Sequence, residues 1–184
     1  MDTEKKILDT ASRLFYNQGY NATGINQIIE EADVAKATLY QHFKSKDDLL
    51  LRYLEIKFEQ TISRLRYVAS TRSAPKEKIS AIFEMLAENA DSKGFRGCNF
   101  LNIAGEIPME NARVYDVIRQ QKNEIRALFA EIIKTEATSE AEIQRTNSLA
   151  DGIYILFDGA SMSCKVFGNS WPAIEARKIA LNLF

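Results

Sequence analysis

Histidine occurs once, tryptophan once, cysteine twice and proline three times in the 184 residues, and each scarcity removes a class of protein. With His42 as the sole histidine, no Ser-His or Cys-His catalytic pair can form in the C-terminal three quarters of the chain. Cys98 and Cys164 lie far apart without metal-ligand spacing, so two thiols in a reducing compartment are expected rather than a disulfide or a zinc site. No apolar run approaches the roughly 18 residues that would span a bilayer. The opening stretch, MDTEKKILDTASRLF, is acidic and amphipathic where a secretory leader would be basic and then apolar. The expectation is a cytoplasmic protein with no membrane partner, no metal and no cofactor. An excess of positive charge is also lacking: the formal net charge is −1, so any nucleic-acid partner must be argued from where the cations sit.

What the chain does have is helical periodicity. Apolar residues make up 46% of the sequence, and they recur at spacings of three and four. Ile7, Leu8, Ala11, Leu14 and Phe15 form one stripe, ended by Gly19. A short helix after Thr23, read as its N-cap, carries Ile25, Ile28, Ile29 and Ala32. After ADVAK a third, again short, begins near Lys36. Ser45 with Asp48 resembles a capping box that opens a long fourth helix. Pro75 stands at a first helical position, a short segment around CNFLNIAGEIP closes at Pro108, and a further helix holds Val114 to Ile132. Ser139 and Glu142 make a second capping box before a long helix to about Phe167, and Pro172 starts the last one. The fold class is therefore all-α, with about nine helices, no convincing strand, no repeat and no low-complexity tract.

Two short helices joined by a tight turn suggest a helix-turn-helix, whose second helix enters the DNA major groove. At about 100° per residue, Leu39 and Phe43 point to the core while Ala37 and Gln41 point away from it. Thr38, Tyr40 and Lys44 flank that outer face, with Lys36 and His42 at its edges. Gln can bond an adenine edge in two places, Ala and Thr can touch a thymine methyl, and Tyr, Lys and His reach phosphate oxygens. The alternative is the solvated side of an ordinary amphipathic helix.

The stretch ILDTASRLFYNQGYNATGINQIIEEADVAKATLYQHFKSKDDLL, above all TLYQHFKSKDDL, resembles the N-terminal domain of the TetR family of bacterial transcriptional regulators. The resemblance covers about a quarter of the chain in order and at the family's spacing. It implies three N-terminal helices that bind DNA, here residues 1–48, and a larger helical domain over 49–184 that binds ligand and dimerises. By position, Thr23, Tyr40, His42 and Lys46 correspond to phosphate contacts, and Lys36, Ala37, Thr38 and Gln41 to readers of base edges. Two positions depart from the family pattern: Asp33 stands where Gly is usual and Ala35 where Ser is usual. Asp tolerates a left-handed turn, but Ala cannot cap the following helix, a loss of about 1 kcal/mol. Residues 1–50 hold eight acids against six Lys or Arg, so weak nonspecific binding and reliance on base contacts are expected.

The C-terminal part is less legible. The helix over 143–167 is apolar around most of its circumference and carries Gly152, Gly159, Ala160, Ser161 and Ser163, small residues that let backbones approach. The family dimerises through its last two helices, which implies Ile153, Leu156, Ala160, Val166, Ile174 and Ile179 as interface, the alternative being an ordinary core helix. Two-fold pairing would set the reading helices about 34 Å apart on an inverted-repeat operator. Family analogy also implies a cavity, with Phe83, Met85, Phe95, Phe100, Met109, Tyr115, Phe129 and Phe157 as candidate walls, though such residues also form plain core. RGCNFLNIAGE adds Cys98, Asn99 and Asn102 beside Arg96. A cationic neighbour and a helix start favour a thiolate, which would make Cys98 an electrophile or oxidant sensor; the alternative is a structural thiol.

Other motifs carry nothing. GASMS has Ser163 where the nucleophile elbow needs glycine. The DG pairs at Asp151 and Asp158 fall in a helical pattern and are not hairpin signals. The remaining acids read as solvated faces, and no enzyme is expected. The resemblance implies a homodimeric regulator, most often a repressor, that binds a double-stranded operator and is released by a small-molecule inducer. The rival readings are an activator of the same fold without an inducer, and a small-molecule-binding or electrophile-sensing protein with little DNA activity.

Overall fold

The computed structural model describes residues 3–134 and 139–184. Among them are nine helices and no strand: α1 Thr3–Gln18, α2 Ile25–Glu31, α3 Lys36–His42, α4 Lys46–Ser70, α5 Pro75–Ala90, α6 Asn99–Ala104, α7 Ala112–Ile133, α8 Glu140–Phe167 and α9 Trp171–Asn182. The expected element order holds throughout. Pro75 opens α5 at a position where its missing N–H costs nothing. The Ser139 box closes with both arms, Glu142 N–H donating to Ser139 Oγ at 3.3 Å and Ser139 N–H to Glu142 Oε2 at 3.1 Å. At α4, the Asp48 N–H donates to Ser45 Oγ at 3.0 Å.

Packing divides the chain into two units: Met1–Glu59 with Asn99–Gln120, and Gln60–Cys98 with Gln121–Phe184. In the first, α1, α2 and α3 pack on one another around Ile7, Ala11, Leu14, Phe15, Ile28 and Leu39, all buried. Tyr53 from α4 joins this core, its ring edge-on to Phe15 with centroids 5.7 Å apart. In the second unit, α5, α8 and α9 pack together. Small residues make that possible: Ala150, Ala160, Ala173, Ala176 and Ala180 are buried along α8 and α9.

One expectation about local structure fails. Thr23 does not cap α2; the N-cap is Gly24 and no side chain bonds there. The Thr23 hydroxyl instead donates to the Gly19 carbonyl at 2.6 Å and accepts from Gln18 Nε2 at 3.2 Å. It satisfies the carbonyl just past the end of α1 rather than the start of α2.

Candidate functional site

The α2–α3 turn is built by Asp33. Val34 N–H reaches back to the Ile29 carbonyl at 3.2 Å and Asp33 N–H to the Glu30 carbonyl at 3.0 Å, the paired bonds that close a helix when the residue beyond its end turns left-handed. Asp33 does so at φ 47°, the one non-glycine residue with positive φ among those described. Lys6 Nζ steadies it from α1, 3.4 Å from Oδ2. After the turn, Ala35 occupies the N-cap of α3 with no side-chain bond, as the departure from the family pattern implies.

The seven-residue helix α3 then sorts its side chains as the wheel requires. Leu39 is 0% exposed and Phe43, just past the helix, 6%. Lys36, Ala37, Tyr40, Gln41, His42 and Lys44 are exposed and Thr38 is half-buried. His42 Nδ1 stands 3.8 Å from Glu4 Oε2, so α1 approaches one edge of the solvent face of α3. Thr23 is absent from that exposed set, being wholly buried. Lys46 is half-buried, its Nζ 4.0 Å above the Tyr20 ring, and burial pulls its pKa down. Beneath it the buried Tyr20 hydroxyl donates to Asp47, and desolvation first, then Asp47, pushes the phenol's pKa up.

The C-terminal candidates divide. Phe83 and Phe129 are completely buried, and Phe157 joins them with centroids 5.9 and 5.5 Å away. Met85 and Phe95 are half-buried. Cys98 is half-buried and lies 3.8 Å from Lys122 Nζ. Asn99 and Asn102 belong to the other unit, where Asn99 Oδ1 accepts from the Tyr53 hydroxyl at 2.8 Å. Met109, 79% exposed, lines no enclosed wall; it sits in the loop after α6. Phe100 and Tyr115 also fall in the N-terminal unit, where the Tyr115 hydroxyl donates to the Ala104 carbonyl at 2.8 Å.

Sequence reasoning missed the polar group beside those rings. Lys122 and Asp158 pair at 2.5 Å with side chains only 13% and 17% exposed, and Lys122 also lies 5.2 Å from the Tyr154 ring centroid. Desolvation first, then the Asp158 charge, pushes the Tyr154 phenol's pKa up. Arg126 makes a two-pronged pair with Asp151, at 2.5 and 2.7 Å. The available signal was a match of spacings: cations four apart on α7 and acids seven apart on α8 place like charges on one stripe of each helix.

The expected interface residues also split. Ile153 and Ala160 turn inward, 0% and 5% exposed, and Leu156 is half-buried. Val166, Ile174 and Ile179 face solvent at 77%, 42% and 50%. Ile155, Phe167 and Trp171 are exposed with them and were not anticipated, because a helix apolar on several sides gives no preferred face.

A family model described as bacterial regulatory proteins, tetR family, matches residues 7–53, and one described as tetracyclin repressor-like, C-terminal domain, matches residues 75–180. The chain belongs to the TetR family of bacterial regulatory proteins. Its fold is shared with SCO4454, a TetR-family transcriptional regulator from Streptomyces coelicolor, at TM-score 0.85 and 26% identity over 98% of this chain and 94% of that one. The Staphylococcus aureus transcriptional regulator QacR is 26% identical over 99% of this chain and 82% of its own length. Another curated relative, 32% identical over 94 residues, is much longer, and this chain spans 32% of it. CifR, solved with a 26-bp double-strand operator DNA, aligns at TM-score 0.81 over 99% of this chain and 96% of its own; at 21% identity it speaks to the fold alone. This TetR-family chain is thus a helix-turn-helix transcriptional regulator, and among its described residues no helix is long and apolar enough to cross a membrane.

Proposed function

We propose that this regulator binds an inverted-repeat DNA operator as a homodimer, most often to repress, and is released by a small-molecule inducer. The carrying observation is the solvent face of α3, where an amide, a hydroxyl and small side chains stand exposed above a buried Leu39. On this reading residues 1–48 are the DNA-binding domain and 49–184 bind ligand and dimerise. Gln41, Ala37, Thr38 and Lys36 read base edges, while Tyr40 and His42 reach phosphates. Lys46, half-covered, serves as a phosphate contact near the edge of the face, and Thr23 acts by holding the turn ahead of α2. CifR, bound to operator DNA, supports the reading by analogy of fold. A DNA partner in turn implies a cytoplasmic protein.

The dimer would form on α8 and α9, where Ile155, Val166, Ile174 and Ile179 leave an apolar face uncovered; exposed patches of this kind mark association surfaces. Inducer would sit among Phe83, Met85, Phe95, Phe129 and Phe157, with Cys98 and Lys122 at one side. Its occupation would act along α4, one continuous helix from Lys46 to Ser70, and change the separation of the two α3 helices. Coupling of this sort is worth about 1–3 kcal/mol.

Selection from a random double-stranded DNA pool tests the proposal, with enrichment of an inverted repeat as the expected result. Gln41→Ala should then lose about 1–3 kcal/mol of discrimination at one base pair per half-site. Undiminished preference there would remove Gln41 as a reader, and a pool that stays random with folded dimer would end the operator reading.

A second reading, electrophile sensing, is favoured by the Lys122 ammonium 3.8 Å from Cys98 Sγ, since a cation stabilises thiolate. Iodoacetamide should label Cys98 faster than a free thiol and should slow with Lys122→Met. Labelling at the free-thiol rate in both would discard it.

A further inference from the structure

The turn between α1 and α2 is gripped by a residue 85 positions along the chain. Asn21 bonds twice to Glu106: its backbone N–H donates to Oε2 at 2.8 Å and its side-chain amide to the backbone carbonyl at 2.8 Å. Gly19, at φ +95°, makes room for this. A Cβ there would stand 2.7 Å from Oε1 and 2.9 Å from Oε2 of the same carboxylate. The segment carrying Glu106 is itself anchored, with Ile103 and Ile107 1% and 6% exposed.

A few residues later the same segment holds the start of α4. Asn111 caps α7 with its Oδ1, accepting from Val114 N–H at 3.3 Å, and donates its Nδ2 to Asp47 Oδ2 at 3.0 Å. Arg113 lies 2.8 Å from Asp48 Oδ1. Between the two grips lie residues 22–46, which contain all of α2 and α3. The α3 helix has seven residues and no side-chain cap, so its orientation depends on its docking through Leu39 and on what holds the two ends of the motif.

We infer that Glu106 is a positioning residue for DNA recognition: with Asn111 and Arg113 it clamps both ends of the helix-turn-helix and sets the angle at which α3 is presented. The inference rests on the reading of α3 as the groove reader. A carboxylate accepting a backbone N–H makes one of the stronger hydrogen bonds, and this one joins elements that the chain itself does not join. Losing it leaves α2 and α3 folded and still docked through Leu39 but less tightly held at the α1–α2 turn, which harms base readout more than phosphate attraction, because base-edge bonds demand geometry and screened charges do not.

The test uses the full chain and the duplex it enriches from a random pool. Glu106→Ala is expected to bind that duplex about tenfold more weakly while binding to an unrelated duplex stays within about twofold. Glu106→Gln, whose amide oxygen still accepts the Asn21 N–H, should restore operator affinity. Equal losses on both duplexes that follow a fall in melting temperature would make Glu106 ordinary packing and overturn the inference, as would undiminished operator affinity in Glu106→Ala. If the unmutated chain enriches no duplex, the reading of α3 falls and the inference with it. Amide exchange at Asn21, expected to be about tenfold faster in Glu106→Ala, distinguishes that failure from a clamp that does not form.

Discussion

Replacing Gly19 by Ala should destabilise the protein by about 2.5 kcal/mol, a figure with three parts. Gly19 sits at φ +95°, where an L side chain is strained by about 2 kcal/mol. Ala also stiffens the unfolded chain, which offsets about 0.5 kcal/mol. The new Cβ would stand 2.7 Å from Glu106 Oε1; the carboxylate is the flexible end of a side chain and swings away, losing the Asn21 N–H bond, about 1 kcal/mol at this exposed site. For a chain of this size the sum corresponds to a melting shift of about 5–10 °C, measured at fixed protein concentration, on which the melting of any self-associating chain depends. The double variant with Glu106→Ala isolates the third part. Glu106→Ala alone should cost about 1 kcal/mol and the double variant about 2.5, about 1 kcal/mol less than the sum of the singles. Strict additivity would show that the carboxylate is not what the Cβ meets. A Gly19→Ala protein as stable as the original would refute the strain argument itself.

Three further outcomes are expected. Leu39, 0% exposed on the buried side of α3, should cost about 2–4 kcal/mol when cut to Ala, read by urea unfolding; a loss under about 1 kcal/mol would mean that α3 does not dock through it. The Arg113 guanidinium first, and then the Ser45 hydroxyl, hold the Asp48 carboxyl below its ordinary 3.8. Its stabilisation is therefore present above about pH 4 and lost as pH falls through the lower folded value. Asp48→Asn should flatten that acid limb of a stability-against-pH curve, and an unchanged slope would refute the pairing. Ile155→Glu, at a position 66% exposed in the single chain, should leave helix content unchanged but shift sedimentation from dimer to monomer; a persistent dimer would move the interface elsewhere.

Legibility in the sequence followed the range of the interaction involved. The wheel of Lys36–His42 was readable because Leu39 and Phe43 face one way whatever surrounds them, and the Ser139–Glu142 box because it closes within four residues. Asp33 stands where the family pattern has glycine, a position that implies a left-handed turn which Asp tolerates, and it takes one. Thr23 misled because a threonine before a helix has two carbonyl- or amide-bearing ends within reach, and spacing does not say which is nearer. Ile153 and Ile155 could not be told apart on a helix apolar on several sides, although one is fully buried and the other mostly exposed.

The sequence by itself determined the helices, their order and which side of α3 faces solvent, together with the family, since all of these are set by residues within a few turns of one another. Tertiary structure alone decided the rest. Asn21 meets Glu106, 85 positions away, only because α6 and its following loop return to the first helices. Lys122 and Asp158, which read as solvated charges 36 residues apart, are brought together at 13% and 17% exposure with Cys98 beside them. Periodicity says which face of a helix seeks cover; which neighbour covers it depends on free energies summed over the whole packed unit, and no local pattern encodes them.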